Sequence, residues 1–193
     1  MRDQIEEALK GYPDHHIEIR IEEIASTHLR YRGRELEDIG KSTSVGGGIR
    51  ALVNGGWGFV CFNNLTDLRG KVSMAVRQAS MVNGEPFTLA PTEPIVDLVP
   101  ADVKKDPQTV PLVTKKGLLD QYVDIMWSVP GVQSTSIMYG DGRSRVCFAN
   151  NQGSYIEQEK VDVMLRLGAQ ARDGGEVQQS GVSLGSQRGT LAL

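Results

Sequence analysis

The sequence predicts an α+β fold: mostly antiparallel sheets with a few packed helices, arranged as two subdomains. Three observations predict it. Ile17, Ile19 and Ile21 alternate with Glu18, Arg20 and Glu22, the period-2 pattern of a half-buried strand. Asn54-Gly55, between two apolar runs, tolerates the positive φ of a tight hairpin. Leu68, Val72, Ala75, Val76 and Ala79 recur at three and four, the stripe of a helix lying on a sheet.

The elements follow in order. Ile5 and Leu9, four apart among charges, predict a short helix from Arg2 to Lys10, ended by Gly11-Tyr12-Pro13. The first strand runs from His16 through Thr27, Leu29 and Tyr31 to a turn at Arg32-Gly33-Arg34, and Leu36 and Ile39 suggest a further short, charged strand. The hairpin occupies Gly46 to Phe62. Thr66-Asp67 supplies capping chemistry for the next helix, which Gly84 is expected to stop.

Six of the eight prolines lie between Pro86 and Pro111, a composition that denies both helix and central strand and predicts a surface crossing. Leu89, Ile95, Val96, Leu98 and Val99 within it are expected to be partly packed, because a free linker would be more polar. Thr114 then caps a helix to about Ser128, with a stripe of Leu118, Leu119, Tyr122, Val123 and Met126. Short alternating runs follow, with turns expected at Asp141-Gly142, Asn150 to Gly153 and Asp173 to Gly175. The first runs are Ser134 to Tyr139 and Ser144 to Ala149, and the later ones Ser154 to Gln158, Val161 to Ala171 and Glu176 to Leu184. The division expected is 1–84 as an N-terminal α+β domain, 85–111 as a Pro-rich linker, and 112–193 as a helix plus antiparallel meander.

Composition limits the chemistry. A formal charge of −3 lacks the positive field that nonspecific nucleic-acid binding requires, and mean hydropathy is −0.27 without an apolar run long enough for a bilayer. Two distant cysteines and a charged start suggest a cytoplasmic protein. The only histidines are His15, His16 and His28, which disfavours most His-dependent catalysis. Adjacent residues on a strand point to opposite faces, so His15 and His16 do not share one metal, and His28 reads as solvent-facing. Gly46-Gly47-Gly48 precedes a strand, where a phosphate loop precedes a helix, so close strand packing is preferred to a nucleotide site. Cys61 and Cys147 read as buried packing, Glu157, Glu159, Asp162 and the Asp173–Glu176 stretch as solvated charge, and Trp57 and Phe59 as sharing one face that Tyr31 could extend, a sheet's packed side in preference to an aromatic binding strip. No catalytic, cofactor-binding or metal residue is assigned.

Two stretches carry a family resemblance. Gly48-Ile49-Arg50-Ala51-Leu52-Val53-Asn54-Gly55-Gly56-Trp57-Gly58-Phe59, with Asn63-Asn64-Leu65 and an amphipathic helix behind it, resembles the N-terminal region of the TldD/PmbA family of zinc metallopeptidases, long labelled modulators of DNA gyrase. Tyr155 to Glu159, Val161 to Ala171 and Asp173-Gly174-Gly175-Glu176-Val177-Gln178-Gln179-Ser180-Gly181 resembles the family's middle region. The family's His-Glu-x-x-x-His zinc helix and a Cys-containing ligand region belong to a C-terminal part that would lie beyond Leu193, so no catalytic residue carries over. The resemblance implies an inert, non-catalytic portion that shapes a cleft for unfolded peptide and makes dimer contacts, as a homo-oligomer or as a heterodimer with a relative; zinc belongs to the full-length family and no cofactor to this chain. The alternative is a stand-alone regulatory or peptide-binding subunit that pairs with a catalytic relative, and an in-frame continuation past codon 193 would distinguish the two. Gly189 to Leu193 favours truncation. Direct modulation of gyrase or DNA conflicts with the charge.

Overall fold

The computed structural model describes residues 1–82, 84, 85, 87 and 89–188; the C-terminal reading of Gly189 to Leu193 lies outside them. The elements are α1 (Arg2–Leu9), β1 (His16–Arg32), β2 (Glu35–Val53), β3 (Gly56–Phe62), α2 (Leu68–Met81), β4 (Val96–Val99), a 3-10 turn (Pro107–Thr109), α3 (Leu112–Trp127), β5 (Val132–Asn150), β6 (Tyr155–Asp173) and β7 (Glu176–Ser186). The sheet order is β3-β2-β1-β5-β6-β4, with β7 also pairing β6. Of the described pairings, β2/β3 and β6/β7 are antiparallel and the short β4 lies parallel to Tyr155–Gln158. The α+β expectation holds.

The chain forms two compact units, because its long strands each contribute to both: Met1–Glu23, Ser44–Pro100 and Arg145–Glu159 in the first, Ile24–Thr43, Ala101–Ser144 and Lys160–Leu193 in the second. In the first unit, alternate side chains Ile17, Ile19, Ile21, Ile49, Ala51 and Cys147 meet Ile5 and Leu9 of α1 and Val72, Ala75 and Ala79 of α2. In the second, Leu29, Tyr31, Ile137, Tyr139, Val163 and Leu165 meet Leu119 and Val123 of α3. Burying a large aliphatic side chain is worth about 1.5–3 kcal/mol, so these layers supply the main driving force.

Several boundaries differ from the sequence reading. The short charged strand and the glycine-led strand are one element, β2, since nothing from Lys41 to Val45 forces a turn. Gly47 stays extended because a Cβ there would strike the Arg20 carbonyl and the Phe62 ring, so the glycine row serves close strand packing. Asp141-Gly142 is no turn: β5 runs through it, because the Asp141 side chain is drawn inward and buried. β6 is likewise unbroken at Glu159-Lys160. α2 ends at Met81, before Gly84, whose missing Cβ instead admits the Gly55 backbone. α3 starts at Leu112 with Pro111 as its cap, its preset φ of −57° opening the helix ahead of Thr114. The proline-rich stretch contributes an edge strand, and Ile95, Val96, Leu98 and Val99 are exposed: β4 engages its neighbour through backbone bonds, such as Tyr155 N donating to Ile95 O at 2.8 Å, and not through buried side chains.

The turns at Asn54-Gly55 and Gly174-Gly175 are as expected, with φ of 47° and 82° at the first and 55° at Gly174. Asp67 caps α2, its carboxylate accepting from Gly70 N at 2.9 Å.

Candidate functional site

The helix-free face of the first unit's sheet gathers the most distinctive side chains. Alternation sends Ile49, Ala51 and Val53 into the core, and so turns Arg50 outward; across the hairpin Arg50 is paired with Phe59 and Leu52 with Trp57. Trp57 and Phe59 stack at 6.2 Å and 26°, and the Arg50 guanidinium lies 5.1 Å over the Trp57 ring. Arg50 also grips Glu18, with Nη2 donating to Oε2 at 3.1 Å. His16 meets Trp57 edge-on at 6.3 Å, and its Nε2 is 3.3 Å from Glu18 Oε2. Its Nδ1 is buried without a partner among the described residues. Beside this group a cavity of about 420 Å³ is lined by His15, His16, Leu52, Asn54, Phe87 and Gln152, among others.

Phe59 remains 59% exposed. An exposed aromatic on a stacked pair, backed by an ion pair, forms a planar surface suited to an extended polypeptide, where rings offer contact area at low entropy cost. Tyr31 does not join this strip; it is buried in the second unit and donates to Asp120 at 2.5 Å. Burial first, and the Asp120 bond second, push its phenol up, while the Lys116 ammonium and the Tyr31 hydroxyl hold Asp120 below the usual carboxylate range.

The other candidates are distributed apart. His15 lies against Tyr12 at 6.2 Å, so the two adjacent histidines have different neighbours, and His28 is exposed beside Asp38 at 3.2 Å. Cys61 is exposed, against expectation, because it shares the open face with Trp57 and Phe59; Cys147 is buried and its thiol is pushed up by burial. Glu157 is not merely solvated. The Arg145 fork donates to it at 2.7 and 2.8 Å, and Tyr155 Oη at 2.9 Å, so its carboxyl is held below its ordinary value. Among the described residues no three His, Cys, Asp or Glu side chains gather where they could hold a metal ion, so these residues do not fit a zinc centre.

Two anchors escape a linear reading. Asn151 donates to the carbonyls of Tyr12 at 2.9 Å and His15 at 2.7 Å, while its oxygen accepts from Ile17 N at 3.0 Å, which fixes the start of β1. In the second unit Lys115 and Asp141 are both fully buried and paired at 2.5 Å, with Gln108 on the other carboxylate oxygen, Thr27 Oγ1 3.5 Å from Lys115 and the Tyr139 ring 5.7 Å from its nitrogen. Burial first, then Asp141, pushes the Tyr139 phenol up, although its hydroxyl is buried without satisfying hydrogen-bond geometry to any described residue. The spacing of Lys115, Leu119 and Val123 at four was a signal that Lys115 faces inward.

This is an α+β chain with an aromatic, partly exposed sheet face and no group of three potential metal ligands among its described residues. Residues 17–80 match the family model for PmbA/TldA metallopeptidase domain 1, and the chain belongs to the PmbA/TldD family through its N-terminal and middle regions. It is 31% identical over 175 residues to a metalloprotease of Synechocystis, covering 90% of this chain and 38% of that protein. A metalloprotease of Methanothermobacter thermautotrophicus is 28% identical over 172 residues, 89% of this chain and 37% of that one. The chain thus spans well under half the length of these relatives. Its fold matches a Thermotoga maritima protein described as a candidate modulator of a DNA gyrase, with a TM-score of 0.82 at 15% identity over 100% of this chain and 44% of the other. TldE from Thermococcus kodakarensis matches with a TM-score of 0.72 at 12% identity, over 96% and 42%.

Proposed function

We propose that this chain is the non-catalytic N-terminal and middle portion of a TldD/PmbA-like zinc metallopeptidase, acting in the cytoplasm, where it shapes the peptide-binding cleft and contributes dimer contacts with a second copy or a family relative. The observation that carries the reading is the open face of Arg50, Trp57 and Phe59, which falls inside the stretch that matches the family's first domain. The metal and its chemistry belong to the remainder of such a protein. No helix among the described residues is long and apolar enough to cross a membrane.

On this reading, fluorescently labelled unfolded casein binds the chain, measured by anisotropy. Trp57→Ala with Phe59→Ala weakens binding about tenfold or more, since two aromatic contacts carry roughly 0.5–1.5 kcal/mol each beyond their area. Binding that is unchanged in the double variant, with circular dichroism intact, contradicts the assignment of this face.

A further inference from the structure

The chain enters the second unit through residues 101–111, whose 3-10 turn is fastened to β5 by two side-chain rungs. Asp141 and Arg143 stand two apart on β5 and so project to the same side of the strand. Arg143 Nη1 donates to Asp106 Oδ2 at 2.6 Å, and Asp141 Oδ1 accepts from the Gln108 amide. The two rungs are joined at their outer ends, because Asp106 Oδ1 caps the turn by accepting from Gln108 N at 2.8 Å. Within the turn, Thr109 N donates to Asp106 O and Val110 N to Pro107 O, both at 3.1 Å. Pro107 and Val110 are its buried anchors. The Pro111 carbonyl, which accepts from Lys115 N at 3.2 Å, is where the segment meets α3.

Beneath the turn lies the Lys115–Asp141 pair, with Thr27 of β1 and Tyr139 of β5 as further buried walls. Gln108 is only half-buried, and its Nε2 reaches both Asp141 and, at 3.5 Å, Thr27 Oγ1, so it stands between the pair and water. Holding two charges out of water carries a large desolvation cost. Lifting the turn therefore loses two rungs and the burial of Pro107 and Val110, but it returns hydration to an ammonium and a carboxylate. The layer of Leu119, Ile137 and Leu165 offers no such return when it opens, which makes the turn the weaker seam of this unit.

We propose that residues 101–111 form a strap latched over the Lys115–Asp141 pair, and that the strap opens as a unit while β1, β5 and α3 stay folded, gating access to the Lys115 amine. The inference is independent of the proposed function. Every group in it belongs to one unit, and the contacts that matter lie under the strap, not on its outer side.

The test is acetylation of the full chain with an N-hydroxysuccinimide acetate ester, read as initial rates at Lys115 and Lys116 by mass spectrometry. The amine attacks the ester carbonyl, loses a proton and expels N-hydroxysuccinimide, leaving an acetamide. Lys116, 41% exposed on the same helix, is the internal reference. Rates are taken over a urea series below the unfolding transition seen by circular dichroism. Lys115 should react about a thousandfold more slowly than Lys116, at a rate nearly flat in urea, because local opening exposes little surface. Gln108→Ala should raise the Lys115 rate about tenfold or more by removing a hydrogen bond to a charged group, and Asp106→Ala should raise it by the other rung and the turn cap; neither changes Lys116. Lys115 acetylation that climbs with urea in step with the unfolding transition, in the native chain and both variants, overturns the proposal, since exposure then requires global unfolding. A flat rate that neither variant alters overturns it too, by assigning the opening to another element. Lys115 reacting as fast as Lys116 in the native chain removes the latch altogether.

Discussion

Replacing Lys115 by methionine should lower the unfolding free energy of the chain by about 3–5 kcal/mol, because it strands the Asp141 carboxylate in a site where both side chains have no solvent exposure. The ammonium is the positive charge paired with Asp141, and it also lies on the Tyr139 ring and near Thr27. Gln108 alone cannot compensate a buried charge. The double variant Lys115→Met with Asp141→Leu should recover most of the loss, since replacing a whole buried pair by apolar groups is often neutral or stabilising. Urea unfolding followed by circular dichroism measures both. A single variant within about 1 kcal/mol of the native chain would mean that water reaches Asp141, and that the pair is not what draws β5 straight through Asp141-Gly142.

The second large effect falls at Gly58. Its partner across the hairpin is Ala51, and a Cβ at 58 would lie closer to the Ala75 carbonyl than real Cβ atoms approach any neighbour, with the Ala79 nitrogen 2.6 Å away. Backbone, not a flexible side chain, is in the way. Gly58→Ala should therefore push α2 off β3 and cost about 3 kcal/mol or more, at the upper end of what overpacking produces. Gly117→Ala is the matched control: it also sits within a regular element but meets nothing within 4 Å, and an interior helical glycine exchanged for alanine gains up to about 1 kcal/mol. Thermal unfolding of the pair should move in opposite directions. If Gly58→Ala is neutral, the close approach of α2 to the hairpin is not what holds the first unit's core.

The features legible in the sequence are those whose cause is local. Alternation at Ile17, Ile19 and Ile21 reports one buried face directly, and Asn54-Gly55 and Asp173-Gly174-Gly175 form hairpins because those residues accept the positive φ that the turn needs. The same dipeptide logic misreads Asp141-Gly142, where the deciding partner, Lys115, is 26 positions away. Strand lengths fragment in the sequence for a related reason: polar residues in the middle of β2 and β6 look like breaks, and no local pattern tells that β1 lies beside the one and β5 beside the other. The Trp57 and Phe59 pairing was readable from spacing alone, whereas the Arg50 and Glu18 contacts depend on β1 lying beside β2. Asn151 looked like an ordinary turn residue; its three bonds reach back more than 130 positions, which no local pattern encodes.

The central claim of the proposed function is that this chain is a non-catalytic portion of a PmbA/TldD-like peptidase whose zinc belongs to the remainder of the protein. The direct measurement is zinc content and casein hydrolysis on the same purified sample, dialysed against zinc and then freed of excess. The account predicts less than about 0.1 zinc per chain and no hydrolysis above a chelator-treated control, because a stable zinc site takes three or four converging ligands that the described residues do not provide. One zinc per chain together with hydrolysis abolished by chelation would contradict it.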